Sequence, residues 1–327
     1  MAAIETEGLE RTFKGGLTAV AGVDLAVREG EVYGFLGPNG AGKTTTVRML
    51  VTLLRPPGGR ATVAGHDVAR EPDAVRRRIG VALQEAALDP LMTGRELVEL
   101  QATLHGISPA RVRGRARELL ERVDLLDAQD RRVGTYSGGM KRRLDLALAL
   151  IHEPAVLFLD EPTTGLDPVS RMTLWDEVRR LKAAGTTVFL TTQYLEEADQ
   201  LADRVGIIDG GRLVAEGTPA ELKAEAGHAR LDLTFAAGGD GPDLEAAAAA
   251  LRPFGTPAPG TDGTHLRLAL PGGAAEIAPI VRALDEAGVE LRGLEVVQPT
   301  LDDVFVARTG HRLDPEEPRA DAAAGPR

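Results

Sequence analysis

Cysteine is absent from this 327-residue chain, which excludes disulfides, thiolate metal sites and thiol catalysis. Aromatic residues make up only 3% of it, so any aromatic beside a candidate site is informative. Lysine stands only at 14, 43, 141, 182 and 223; the other basic residues are arginine, a bias we ascribe to a GC-rich genome rather than to chemistry. No run approaches the roughly 18–20 uninterrupted apolar residues of a membrane-spanning helix. Met1 to Arg11 carries acids and no apolar stretch, so no secretory signal is expected. Positive charge is in deficit, with a net charge of −11. That deficit weighs against a nucleic-acid-binding surface, and no nucleic acid is expected as a partner. These absences predict a soluble cytoplasmic protein, long enough for one large and one small domain.

What is present is organised around Gly37-Pro38-Asn39-Gly40-Ala41-Gly42-Lys43-Thr44-Thr45. The spacing is Gly-x4-Gly-Lys-Thr, preceded by an apolar run, Glu31 to Leu36, that reads as a buried strand. It is followed by helical spacing of Val47, Leu50, Val51 and Leu54, predicting a helix from Thr45 to Leu54. Strand, glycine loop and helix are the context this motif requires. The glycines let backbone N–H groups converge on an anion at a helix N-terminus. Lys43 can reach the β- and γ-phosphates, and the Thr44 hydroxyl can ligate Mg²⁺. This stretch predicts a nucleoside triphosphate site.

Upstream, Ile4 to Glu10 and Gly22 to Val27 read as an antiparallel pair around a turn at Lys14-Gly15-Gly16. Phe13 stands at that turn, where a purine could stack on it or it could simply pack. Downstream, Arg60 to His66 reads as an edge strand and turn. Ile79 to Gln84 reads as a buried strand whose final Gln84 either reaches a ligand in the crevice of a doubly wound sheet or lies in a solvated loop. Thr93 to Gly106, Pro109 to Val123 and Gly139 to His152 are helical by periodicity and form a helical insertion spanning about 85–150. Ser137-Gly138-Gly139 opens the last of these; an N-cap and an anion site are both open there.

Ala155 to Leu159 is an apolar run closed by Asp160-Glu161. Beside a phosphate loop, Asp160 is placed for Mg²⁺ and Glu161 for the general-base removal of a proton from water. A turn through Gly165-Leu166-Asp167 leads to a helix starting near Ser170. Thr186 to Gln193 reads as the next strand.

Taken together, residues 1 to about 225 resemble the ATP-binding subunits of ABC transporters. Gly37 to Thr45 is similar to the Walker A loop, Gln84 to the Q-loop and Tyr136 to Met140 to the signature motif. Asp160 and Glu161 are similar to Walker B with its catalytic glutamate, and Gly165 to Asp167 to the D-loop. Five motifs in the family's order favour the ligand-directed alternatives at Gln84 and Ser137, and Phe13 falls at the family's adenine-stacking position. The resemblance implies an α/β P-loop NTPase with an antiparallel β subdomain and a helical insertion. It also implies ATP and Mg²⁺ as cofactors, with Thr44, Gln84 and Asp160 around the metal. It further implies a head-to-tail homodimer in which Ser137, Gly138 and Gly139 of one subunit cover the nucleotide of the other. A separate membrane-spanning permease subunit completes the assembly, with this chain peripheral on the cytoplasmic side of the membrane.

Three positions depart from the family pattern: Tyr136 and Met140 in place of the common Leu and Gln, and Gln193 where most members carry a histidine. Glutamine can donate a hydrogen bond to the γ-phosphate but cannot carry charge, so active but slow hydrolysis is expected, with Glu161 as base. Thr192 to Asp199 and Leu301-Asp302-Asp303-Val304-Phe305 narrow the resemblance to the daunorubicin-resistance type of drug-export ATPase. The function implied is ATP-driven efflux of a hydrophobic compound. The alternative is a non-transport ABC ATPase, regulatory or associated with translation or DNA.

Past residue 225 the composition shifts to Ala, Gly and Pro. Arg230 to Phe235, His265 to Leu270 and Val289 to Val297 alternate like half-buried strands. Asp243 to Leu251, Ala274 to Ala287 and Pro299 to Arg308 read as helices. A small α+β accessory domain over 226–310, of split βαβ type, is expected, followed by a disordered tail, 311–327.

Overall fold

The computed structural model describes residues 2–84, 87–235, 244–260 and 264–312. The chain divides into two compact units, one of residues 2–219 together with 311–312, the other Ala220–Gly310.

The larger unit runs β1 (Ala2–Thr12), β2 (Thr18–Arg28), β3 (Val32–Leu36), α1 (Lys43–Leu50), β4 (Gly58–Val63) and β5 (His66–Asp67). It continues through α2 (Pro72–Arg78), β6 (Ile79–Ala82), α3 (Gly94–Leu104), α4 (Pro109–Arg122) and α5 (Gly138–Ala149). It closes with β7 (Val156–Asp160), α6 (Pro168–Ala183), β8 (Thr187–Thr192), α7 (Leu195–Leu201), β9 (Arg204–Asp209) and β10 (Arg212–Gly217). A four-stranded antiparallel sheet is ordered β2-β1-β4-β5, and a six-stranded sheet β10-β9-β3-β8-β7-β6. In the second sheet β9, β3, β8, β7 and β6 are mutually parallel, with β10 antiparallel at the edge. Every residue of β3, β7 and β8 is buried. Strands of a parallel sheet have both faces covered, so they read as continuous apolar runs rather than alternating ones. One apolar cluster joins the sheet to α3, α4, α5 and α6 through residues such as Val98, Leu119, Leu144 and Trp175. Another joins it to the antiparallel layer and α1 through Ile4, Val23, Phe35 and Met49.

Several predicted boundaries move. The helix after the phosphate loop begins at Lys43 rather than Thr45, because Gly42 is its left-handed N-cap (φ 109°). It ends at Leu50 rather than Leu54, because Thr52 turns left-handed (φ 65°). The strand expected to reach Gln84 ends at Ala82, so Gln84 stands in the loop beyond it. The helix expected over Gly139 to His152 ends at Ala149, ahead of a left-handed Glu153 (φ 57°) and Pro154. α2, α7, β9 and β10 were not predicted. For α2 the available signal is Pro72 in the first turn with Asp73, and Arg76 to Arg78 in the last.

The second unit follows α8 (Pro219–Glu225) with β11 (Arg230–Phe235), α9 (Leu244–Leu251), β12 (Ala258–Pro259) and β13 (His265–Ala269), then α10 (Ile277–Glu286), β14 (Leu291–Val297) and α11 (Leu301–Thr309). The strand order β12-β13-β11-β14, antiparallel throughout, is that of a split βαβ. Leu231, Leu233 and Phe235 alternate into one face and pack with Ala247, Leu251, Ile280 and Leu284 of the two long helices. Thr300 and Asp303 form a capping box at the start of α11. Asp243, and the part of the expected tail from 313 on, lie outside the described residues.

Candidate nucleotide site

The C-terminal ends of β3, β7 and β8, neighbours in the parallel sheet, open onto one crevice, the place where doubly wound sheets bind ligands. Gly37 N donates to Thr192 O (3.3 Å), tying the phosphate loop to the end of β8. Glycine is required at two loop positions for steric reasons. A Cβ on Gly37 would lie 2.3 Å from Ile208 O, and one on Gly42 would lie 2.2 Å from Ala19 O. Pro38 is half-buried, Asn39 and Gly40 are exposed, and Ala41 is buried, its N–H bonded to Pro38 O (3.2 Å). Lys43, Thr44 and Thr45 form the first turn of α1. Lys43 Nζ donates to Gly37 O (2.7 Å) and Pro38 O (3.1 Å) and pairs with Glu161 Oε1 at 3.1 Å. Burial lowers the Lys43 pKa, and the adjacent carboxylates of Glu161 and Asp160 oppose that shift.

Asp160 is buried at the last position of β7. Its Oδ1 accepts from Thr191 Oγ1 (2.5 Å) and from Thr44 Oγ1 (3.3 Å). Its Oδ2 is buried with no hydrogen-bond partner. Glu161, the next residue, has a left-handed backbone (φ 47°), and its N–H is held by both the carbonyl and the hydroxyl of Thr191, each at 3.1 Å. One hydroxyl on β8 therefore orients both acidic residues. Thr191 was not among the predicted site residues; a threonine pair closing a buried strand beside the phosphate loop is the signal that could have found it.

Gln193 directly follows the Thr192 carbonyl that anchors Gly37, and its Oε1 is buried with no hydrogen-bond partner. Gln84 is exposed, and no hydrogen bond among the described residues joins it to the Lys43–Asp160–Glu161 group. Ser137 caps α5, accepting from Met140 N (3.2 Å). Asp167 caps α6, accepting from Ser170 N (2.9 Å) and Ser170 Oγ (2.6 Å). These two caps are packed together, since a Cβ on Gly139 would lie 2.5 Å from Ser170 Oγ. Ser137, Gly138 and Asp167 are exposed. Tyr136, which replaces the usual leucine, is buried and donates its hydroxyl to Ala128 O (2.7 Å). Phe13 is 38% exposed just beyond β1, with the Arg11 guanidinium 4.9 Å from its ring centroid.

The ABC transporter family model matches residues 20–164. Over 308 residues the chain is 53% identical to the daunorubicin resistance ATP-binding protein DrrA3 of Streptomyces coeruleorubidus, covering 94% of this chain and 96% of that one. The chain belongs to the ABC transporter ATP-binding proteins, in their daunorubicin-resistance group. This ABC ATP-binding protein is also 46% identical over 324 residues to the doxorubicin resistance ATP-binding protein DrrA of Mycobacterium tuberculosis, covering 96% of this chain and 95% of that one. Among solved structures it is similar to the dimeric ATP-binding cassette MJ0796 in a post-hydrolysis state with ADP and Pi. That match has 27% identity and a TM-score of 0.62, covering 66% of this chain and 98% of the other. The solved cassette covers two thirds of the chain, whereas the drug-resistance relatives extend through the second unit as well.

Proposed function

We propose that this ABC ATP-binding protein hydrolyses ATP to power efflux of a hydrophobic drug or antibiotic through a separate membrane subunit. The observation that carries the chemistry is the convergence of Lys43, Thr44, Asp160 and Glu161 through contacts of 3.1–3.3 Å. The N–H groups of Asn39, Gly40 and Gly42 to Thr45, in the loop and the first turn of α1, cradle the phosphates. A phosphate in the loop competes for the Lys43 ammonium, and the Glu161 carboxylate leaves its ion pair to accept the proton of the attacking water. Gln193 donates its amide N–H to the γ-phosphate. Thr44 and Asp160 would hold Mg²⁺: a hydroxyl and a buried carboxylate with an unpartnered oxygen form a hard-oxygen donor pair. Among the described residues no group of three or more His, Asp or Glu forms a protein cage. That suits an ion that takes one or two protein ligands and completes its shell with phosphates and water. When bound, Mg²⁺ neutralises charge on the β- and γ-phosphates. Gln84 joins this set only if its loop folds inward.

The exposed caps of Ser137, Gly138 and Asp167 support a head-to-tail homodimer, each subunit covering the nucleotide of the other. Phe13 offers its exposed face to the adenine. A groove of about 420 Å³ lined by Leu53, Ile79, Leu83, Leu88, His105 and Leu148 lies between the loop after β6 and the helical insertion. It is the dock for a cytoplasmic helix of the membrane subunit. No helix among the described residues is long and apolar enough to cross a membrane; the place we assign this chain, peripheral on the cytoplasmic side, follows from its pairing with the membrane subunit. The second unit is an accessory domain.

The test is to solubilise host membranes in mild detergent and purify the Glu161→Gln chain with Mg-ATP. Recovery of a multi-span protein in equal amount is the expected result. A soluble dimer alone, or ribosomes or DNA in its place, would overturn the transport reading.

A further inference from the structure

We infer that Arg142 is a positioning residue for Glu161, tying the helix that opens at Ser137 to the backbone on both sides of that carboxylate. Arg142 lies in the second turn of α5 and is 8% exposed. Its guanidinium donates Nη2 to Asp160 O (2.7 Å), Nε to Pro162 O (3.0 Å) and Nη1 to Leu83 O. The first two carbonyls belong to the residues immediately before and after Glu161. The third belongs to the residue immediately before Gln84. On the fourth side, Asp145 Oδ2 lies 3.6 Å from Nη1. One planar fork thus satisfies carbonyls from two strand ends at once, which a lysine, with a single point of charge, cannot do.

The backbone gives this fork a purpose. Glu161 sits at φ 47°, a conformation that non-glycine residues hold only where the surroundings over-determine it. The Thr191 carbonyl and hydroxyl hold its N–H from one side, and Arg142 holds the flanking carbonyls from the other. Arg142 itself never reaches the reacting atoms. It acts through the geometry of Glu161. The inference rests on Glu161 being the base in the proposed function.

The experiment compares Arg142→Met and Arg142→Lys with the parent as full-length chains. A misplaced base slows the chemical step without weakening substrate binding, so kcat is expected to fall about 10- to 100-fold in Arg142→Met while KM for ATP moves less than about threefold. Arg142→Lys keeps the charge and a donor to these carbonyls and is expected to recover part of kcat. Amide hydrogen exchange on the nucleotide-free chain is expected to rise at residues 160–164 in both variants, with the rest of the β7–β8 region still protected. Unchanged exchange at 160–164, or kcat equal to the parent's, overturns the inference. A parent without ATPase activity would instead sink the proposed function, and the exchange measurement would then decide this inference alone.

Discussion

Lys43 and Glu161, far apart in the sequence, form a buried ion pair of 3.1 Å, their side chains 3% and 6% exposed. The pair closes the phosphate loop onto the end of β7. It also sets a competition, because the ammonium that serves a phosphate is the one that holds the base.

Removing one member of that pair leaves a buried charge without a partner. Lys43→Ala is expected to destabilise the chain by about 3–5 kcal/mol and to abolish nucleotide binding. Adding Glu161→Gln to Lys43→Ala removes the orphaned carboxylate and is expected to return a good part of that stability but none of the binding. Thermal unfolding of the two single variants and the double variant measures the coupling; strictly additive losses would contradict it.

Gln193 has a half-buried amide beside the anchor of the phosphate loop. Gln193→Ala deletes the only donor this position offers to a γ-phosphate and is expected to lower kcat about tenfold or more. Gln193→His restores a residue able to carry charge and is expected to exceed the parent rate. Steady-state ATPase assays decide; an alanine variant as fast as the parent shows that the side chain plays no part.

The loop glycines differ in what they tolerate. At Gly37 an added methyl meets Ile208 O at 2.3 Å, whereas at Gly40 it meets nothing within 4 Å and only the left-handed backbone (φ 81°) resists it. Gly40→Ala is expected to cost about 1–2 kcal/mol and to keep nucleotide binding. Gly37→Ala is expected to displace the loop and lose that binding. Titration with a fluorescent ATP analogue separates the two, and equal affinities would refute the steric account.

Asp145 faces the groove beside β6, and burial raises its pKa to about 6 against a smaller opposing pull from Arg142. The folded chain therefore binds a proton that the unfolded chain has already released between about pH 4 and 6. With more protons on the native state, stability falls as pH rises through that window and stays lower above it. Asp145→Asn removes the titrating group, so its stability is expected to be flatter from pH 4 to 7 than the parent's. Urea unfolding across that range gives the comparison; parallel profiles would show that Asp145 does not carry the effect.

Much of the site was legible in the chain because its signals are local. The phosphate loop between a buried strand and a helix, the acids closing Val156 to Asp160, and the polar ends of the two caps each depend on a few neighbouring residues. The alternation of Arg230 to Phe235 likewise revealed a half-buried strand of the second unit. Boundaries were less legible, because a single left-handed residue such as Thr52 or Glu153 stops a helix whose apolar spacing runs on.

The sequence by itself determined the chemical parts: an anion nest with a lysine and a hydroxyl, two adjacent carboxylates, and an amide in place of an imidazole. Only the tertiary structure decided how they meet. Thr44 and Asp160 are 116 residues apart; Thr191 reaches the acids from a neighbouring strand, and Arg142 reaches the backbone that flanks Glu161 from a helix of the insertion. Such contacts are set by strand order and helix packing, which place distant residues side by side without leaving any periodic trace in the chain.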